Sequence, residues 1–127
     1  MLTALAQTSA PRPSLFVHPN AESVAYGSTR IDLRTRGPLR RILLALVAAH
    51  RAAPGTALSA EAMFEAGWPF ERASAKAASS RVYTAIYTLR RMGLRGVLLR
   101  REDGYVLVSD VAVETLDELA PRPAFAS

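Results

Sequence analysis

The chain has 127 residues, half of them apolar, a net charge of +5 and no cysteine. That length favours one domain, and so much apolar surface excludes a disordered polypeptide. Without cysteine there is no disulfide framework, no thiolate chemistry and no cysteine-based metal site.

Residues 1–13 have weak periodicity and close on Pro11 and Pro13, which reads as a flexible N-terminal arm. Ser14 to His18 is apolar and β-prone, Pro19-Asn20 marks a turn, and Ser23 to Tyr26 alternates before a second turn at Gly27-Ser28. Arg30 to Leu33 places Ile31 and Leu33 on one face, so three short strands are expected as a small antiparallel sheet. Gly37-Pro38 opens a helix in which Leu39, Ile42, Leu43, Leu46 and Val47 recur at helical spacing. Ser59 is an N-cap for a second helix that Gly67-Trp68-Pro69 stops. Ser74 caps a third helix running to about Met92, with Ala78, Val82, Ala85, Ile86, Leu89 and Met92 on its apolar stripe. Val97 to Arg101 and Tyr105 to Val108 then read as a hairpin with Asp103-Gly104 in its turn. From residue 110 the chain reads as an acidic, proline-containing tail, which leaves 14–109 as the folded domain.

The charge is sorted along this order. Between Arg72 and Arg101 lie eight cations and no acid, whereas six of the eleven acids follow residue 101. A cationic helix followed by a cationic hairpin suits a polyanion, and double-stranded DNA is the usual one. The longest apolar run, Ile42 to Ala49, is far too short to span a membrane, and no basic-then-apolar leader opens the chain. A cytoplasmic, nucleoid-associated protein without a membrane partner is therefore expected.

Three strands, three helices and a hairpin, with the segments LSAEAMFEAGWP, RVYTAIYTLRRMGL and LLRREDGYVL in that order, resemble the effector domain of OmpR/PhoB-type transcription regulators. The resemblance covers about Leu15 to Val108, and its most specific pieces are Leu89-Arg90-Arg91 and Gly104-Tyr105. It implies an α+β winged helix-turn-helix: a four-stranded N-terminal sheet, a three-helix bundle and a C-terminal hairpin wing. The fourth front strand is then to be sought around Thr56 to Leu58, if it is present. The resemblance also implies a bacterial transcriptional regulator whose third helix enters the major groove while the wing meets the flanking backbone or minor groove. Head-to-tail homodimers and a loop that touches RNA polymerase or another protein belong to the same pattern. Here that loop contains Trp68, Pro69, Phe70, Glu71 and Arg72.

The candidate DNA contacts are Lys76, Ser80, Arg81, Thr84, Tyr87, Thr88 and Arg91 on the outer face and flanks of the third helix, with Arg100 and Arg101 in the hairpin. Arginine pairs with guanine O6 and N7 in bidentate fashion, and backbone contacts set affinity and salt dependence without reading sequence. Neighbours on a strand point to opposite faces, so one of Arg100 and Arg101 is expected to face DNA and the other to pair with Glu102 or Asp103. Tyr83 and Tyr87 share one side of the helix; they stack on sugars, anchor a protein partner, or (for Tyr83) pack against the hairpin. These tyrosines, with the acidic hairpin tip and tail, keep open a second reading: a winged helix used for protein binding, with the tail masking the basic helix. Trp68 and Tyr105 are expected in the core, and His18 and His50 as isolated structural or surface residues. No phosphate-binding glycine loop, nucleophile elbow or metal-ligand spacing occurs, so no enzyme activity, cofactor or metal is expected.

Overall fold

The computed structural model describes residues 13–102 and 104–115. The flexible arm expected over residues 1–13 and the tail beyond residue 115 thus lie almost wholly outside the described residues.

Strands β1 (Leu15–Val17), β2 (Ser23–Tyr26) and β3 (Thr29–Asp32) form an antiparallel meander. The turn after β1 is tight because Asn20 takes a left-handed conformation (φ 56°), one that asparagine tolerates better than most residues. Leu15, Val17, Val24, Ile31 and Leu33 make the inward row of this sheet and are all buried. Helix α1 (Gly37–Ala52) starts with proline in its first turn, where no backbone donor is lost, and ends with His50 and Arg51, which suit the negative end of a helix. Its expected stripe of Leu39, Ile42, Leu43, Leu46 and Val47 is buried throughout.

Helix α2 (Ala60–Gly67) is capped by Ser59, whose Oγ accepts from the Ala62 amide at 3.1 Å. Its other end is held by Arg41 of α1, which donates from Nε (3.1 Å) and Nη2 (2.8 Å) to the Gly67 carbonyl. Gly67 lies so close to α1 that a β-carbon there would stand 3.1 Å from Ile42 Cγ1. Helix α3 (Ala75–Leu89) is capped by Ser74, whose Oγ accepts from the Ala77 amide at 3.1 Å. Val82, Ala85, Ile86 and Leu89 are buried, and Ala78 and Met92 pack against the core at the ends of the stripe. Burying a leucine such as Leu89 contributes roughly 1.5–3 kcal/mol, so this stripe fixes which face α3 turns outward. The helix leaves through a wider π turn (Arg90–Leu94) that breaks at Gly93, φ 144°. A side chain at Gly93 would collide with Thr29 of β3, so the end of α3 is seated on the front sheet.

Strands β5 (Leu98–Arg101) and β6 (Gly104–Leu107) form the expected hairpin, and β4 (Leu58–Ser59) pairs antiparallel with β6. The segment around Thr56 to Leu58 therefore supplies a strand to the hairpin sheet, ordered β4-β6-β5, and not to the front sheet. The front sheet does have a fourth strand, β7 (Val113–Thr115), which lies parallel to β1 in the order β3-β2-β1-β7. Residues 110–115, expected at the head of an acidic tail, are thus part of the folded unit. Asp110 and Glu114 are exposed there, while Val111 is buried and Val113 packs against the core. His50 bonds to the Val111 carbonyl (Nε2 to O, 2.9 Å), and the Leu15 amide donates to the Ala112 carbonyl at 2.8 Å.

Gly104 belongs to β6 and not to the turn, since the register pairs Arg101 with Gly104. It is glycine because a β-carbon would run into the Leu58 carbonyl of β4. Among the described residues of the turn, Glu102 is left-handed, φ 52°. The described residues are therefore α+β, with three α-helices and two small sheets. No helix among the described residues is long and apolar enough to cross a membrane.

Candidate nucleic-acid interface

The buried stripe of α3 turns Lys76, Ser80, Arg81, Tyr83, Thr84 and Tyr87 to solvent, and Thr88 is half-buried beside them. Lys76, Ser79, Ser80, Tyr83, Thr84 and Tyr87 line one shallow groove along this face. Ser80, Arg81, Thr84 and Thr88 also border a second groove, against Arg36, Pro38, Leu39 and Trp68 at the start of α1 and the end of α2. Ser80 and Thr84 thus form a crest between two depressions. Thr88 donates its hydroxyl back to the Thr84 carbonyl at 3.0 Å, so that group is spent within the helix.

Of the eight cations between residues 72 and 101, Arg72, Lys76, Arg81, Arg91, Arg95, Arg100 and Arg101 are exposed. Arg90 is half-buried, with its Nε buried and unpaired. Two arginines sit on the tyrosines that share this surface. The Arg91 guanidinium is 5.7 Å from the Tyr87 ring centroid, and that of Arg100 is 5.6 Å from Tyr83 and 5.9 Å from Tyr105. Tyr83 meets Tyr105 edge to face at 6.1 Å, which is the packing against the hairpin that was one of its expected roles. Such cation–ring contacts are worth about 0.5–1 kcal/mol at exposed sites. They hold the guanidinium planes beside the groove without neutralising them.

Arg100 therefore lies on the side of the hairpin that faces α3, and Arg101, its strand neighbour, on the other side. The two thus face opposite sides of the hairpin, but neither is ion-paired with Glu102 among the described residues; Asp103 lies outside them.

Arg81 is brought elsewhere. Its Nη1 donates to Glu71 Oε1 at 2.5 Å, and its guanidinium lies 5.9 Å from the Phe64 ring and 5.7 Å from the Trp68 ring. Among the described residues it is the one cation of the eight held in an ion pair. Sequence reasoning placed it on the flank of the outer face correctly, but a partner ten residues upstream across a turn leaves no periodic signal.

The expected partner loop divides in two. Trp68 stacks on Phe64 (5.3 Å between centroids, 24° between planes) and packs against the core, as a plug would. Phe70 is 97% exposed at the loop tip. Pro69 and Arg72 are exposed, and Glu71 is occupied by Arg81. His18 and His50 both bond to backbone carbonyls, His18 through Nδ1 to Ser23 (3.2 Å), and neither joins a cluster of metal-binding side chains among the described residues.

No family model matches this chain, and no curated protein matches it.

Proposed function

We propose that the protein is a winged-helix DNA-binding regulator of the OmpR/PhoB type, in which α3 lies in the major groove and the β5–β6 hairpin is the wing. The observation that carries this is the exposed cationic ridge of Lys76, Arg91 and Arg100, within a stretch that holds no acid from Arg72 to Arg101. Two further features support it. The buried stripe of α3 and the seat of Gly93 on β3 hold the ridge rigid, and rigid elements present contacts at lower entropic cost. Arg100, stacked beside Tyr83, links the helix face to the hairpin so that both meet one ligand.

Each phosphate neutralised releases counterions, so affinity must fall steeply with salt, with a slope of about −0.9 per contact on a log–log plot. The test is a fluorescence titration of labelled duplex over a salt series. Binding at low salt with a slope of several contacts is expected. No binding to any duplex, or affinity indifferent to salt, would refute the reading.

A second reading is favoured by one observation, the full exposure of Phe70 next to Pro69. An exposed aromatic on a loop braced by a stack and an ion pair is a suitable anchor for a protein partner. In that reading the module binds a regulatory protein or RNA polymerase through the α2–α3 loop. Capture from lysate that survives nuclease and is lost in Phe70→Ser supports it; loss with nuclease contradicts it.

A further inference from the structure

We propose that the outer face of α3 reads thymine through its C5-methyl group, a specificity that rests on the DNA-binding reading above. In the major groove adenine is read directly by Asn or Gln, cytosine by Asp or Glu, and guanine by Arg or Lys, while Ser and Thr hydroxyls bond to either kind of base edge and so do not discriminate. Helix α3, from Ala75 to Leu89, contains no Asn, Gln, Asp or Glu. Its one arginine, Arg81, is held by Glu71 beside the Phe64 and Trp68 rings. Lys76 stands in the first turn, at the end of the groove.

What the middle of the helix presents is mostly carbon: the Tyr83 and Tyr87 rings and the methyl of Thr84, with Ser80 one turn before them. Thr88 adds a methyl, since its hydroxyl is bonded within the helix. The thymine methyl is the apolar feature on the floor of the major groove, and threonine methyls and aromatic carbons are its usual contacts. Arg91 and Arg100, lying over the same two tyrosines, stand where backbone phosphates would flank those contacts.

Two pairs of alternating duplexes of equal length test this, each pair differing only by that methyl: d(A-T) against d(A-U), and d(G-5-methyl-C) against d(G-C). The methylated member of each pair is expected to bind more tightly, by about fourfold for each methyl buried. Thr84→Ser deletes one methyl from an exposed residue and should narrow the T-to-U ratio, whereas Thr84→Val should preserve it. Equal affinities within both pairs, with binding still weakened by salt, overturn the thymine reading and leave DNA binding standing. A ratio unchanged in Thr84→Ser overturns the assignment to Thr84. Absence of binding to all four duplexes at low salt removes the DNA reading itself.

Discussion

Glu71 restrains an arginine on the flank of the proposed interface, and removing it should strengthen DNA binding while costing little stability. The pair is half exposed, with side-chain exposures of 44% for Arg81 and 50% for Glu71. Exposed pairs of this kind are worth about 0–1 kcal/mol. The loop keeps its other supports in Glu71→Ala: the residue 71 amide still donates to the Trp68 carbonyl at 3.1 Å, and Trp68 still stacks on Phe64. The melting temperature should therefore fall by no more than about 4–8 °C. On the binding side the variant loses one negative charge, and Arg81 is released toward the crest formed by Ser80 and Thr84. If it reaches one phosphate, the log–log salt slope steepens by about 0.9, so a fourfold rise in salt costs the variant about 3.5-fold more affinity than the wild type. If it reaches a guanine edge instead, discrimination among bases changes by roughly 1–3 kcal/mol and the preference for thymine narrows. Anisotropy titrations at several salt concentrations, paired with thermal melts, measure both effects. Unchanged affinity, slope and base preference in a folded variant would refute the placement of Arg81 beside the interface.

Three further outcomes follow from the fold. Gly104→Ala forces a β-carbon into the Leu58 carbonyl and should destabilise by about 1–3 kcal/mol or more, read as a lower denaturation midpoint; a neutral effect would contradict the β4–β6 pairing. His50→Ala leaves the buried Val111 segment without its bond to α1 and should cost about 1–3 kcal/mol locally, so the Leu15 amide, which donates to Ala112, should exchange hydrogen faster; unaltered exchange would show that β7 needs no such clip. The Asp32 carboxyl is held below its ordinary pKa, first by the side-chain hydrogen bonds from Arg34 and then by the Arg34 amide. A carboxyl with a lowered folded pKa lends stability that is present above the unfolded value and lost as pH falls through the folded one. Asp32→Asn should therefore flatten the acid limb of the stability curve below about pH 4, and an identical limb would contradict this.

The helices were legible because each signal is local and repeated. Ser59 and Ser74 cap where they were expected to, and the stripes of α1 and α3 are buried as their spacing demands. The outer face of α3 follows from the same periodicity, so the candidate surface could be read as far as its position on the helix. What the chain hid were pairings between distant segments. Strand β7 is three residues long with an acid, Glu114, at its surface, too short for alternation to outweigh composition. Strand β4 has two residues and is defined only by its partner β6. Gly104 beside Asp103 carries the usual mark of a turn, yet its need for glycine comes from Leu58, far away in sequence. The bond between Arg81 and Glu71, and the placing of Arg100 over Tyr83, likewise depend on how a loop and a hairpin fold back onto α3.

The proposed function requires that one surface, formed by α3 and β5, receives duplex DNA. Amide and arginine side-chain NMR spectra recorded while a short A·T-rich duplex is titrated in test it most directly. The largest shifts should fall on Lys76, Ser80, Thr84, Tyr87, Arg91 and Arg100, with the front sheet and Phe70 little changed. Shifts centred on Phe70 and the α2–α3 loop, or spread over β1 to β3 while α3 stays silent, would contradict it.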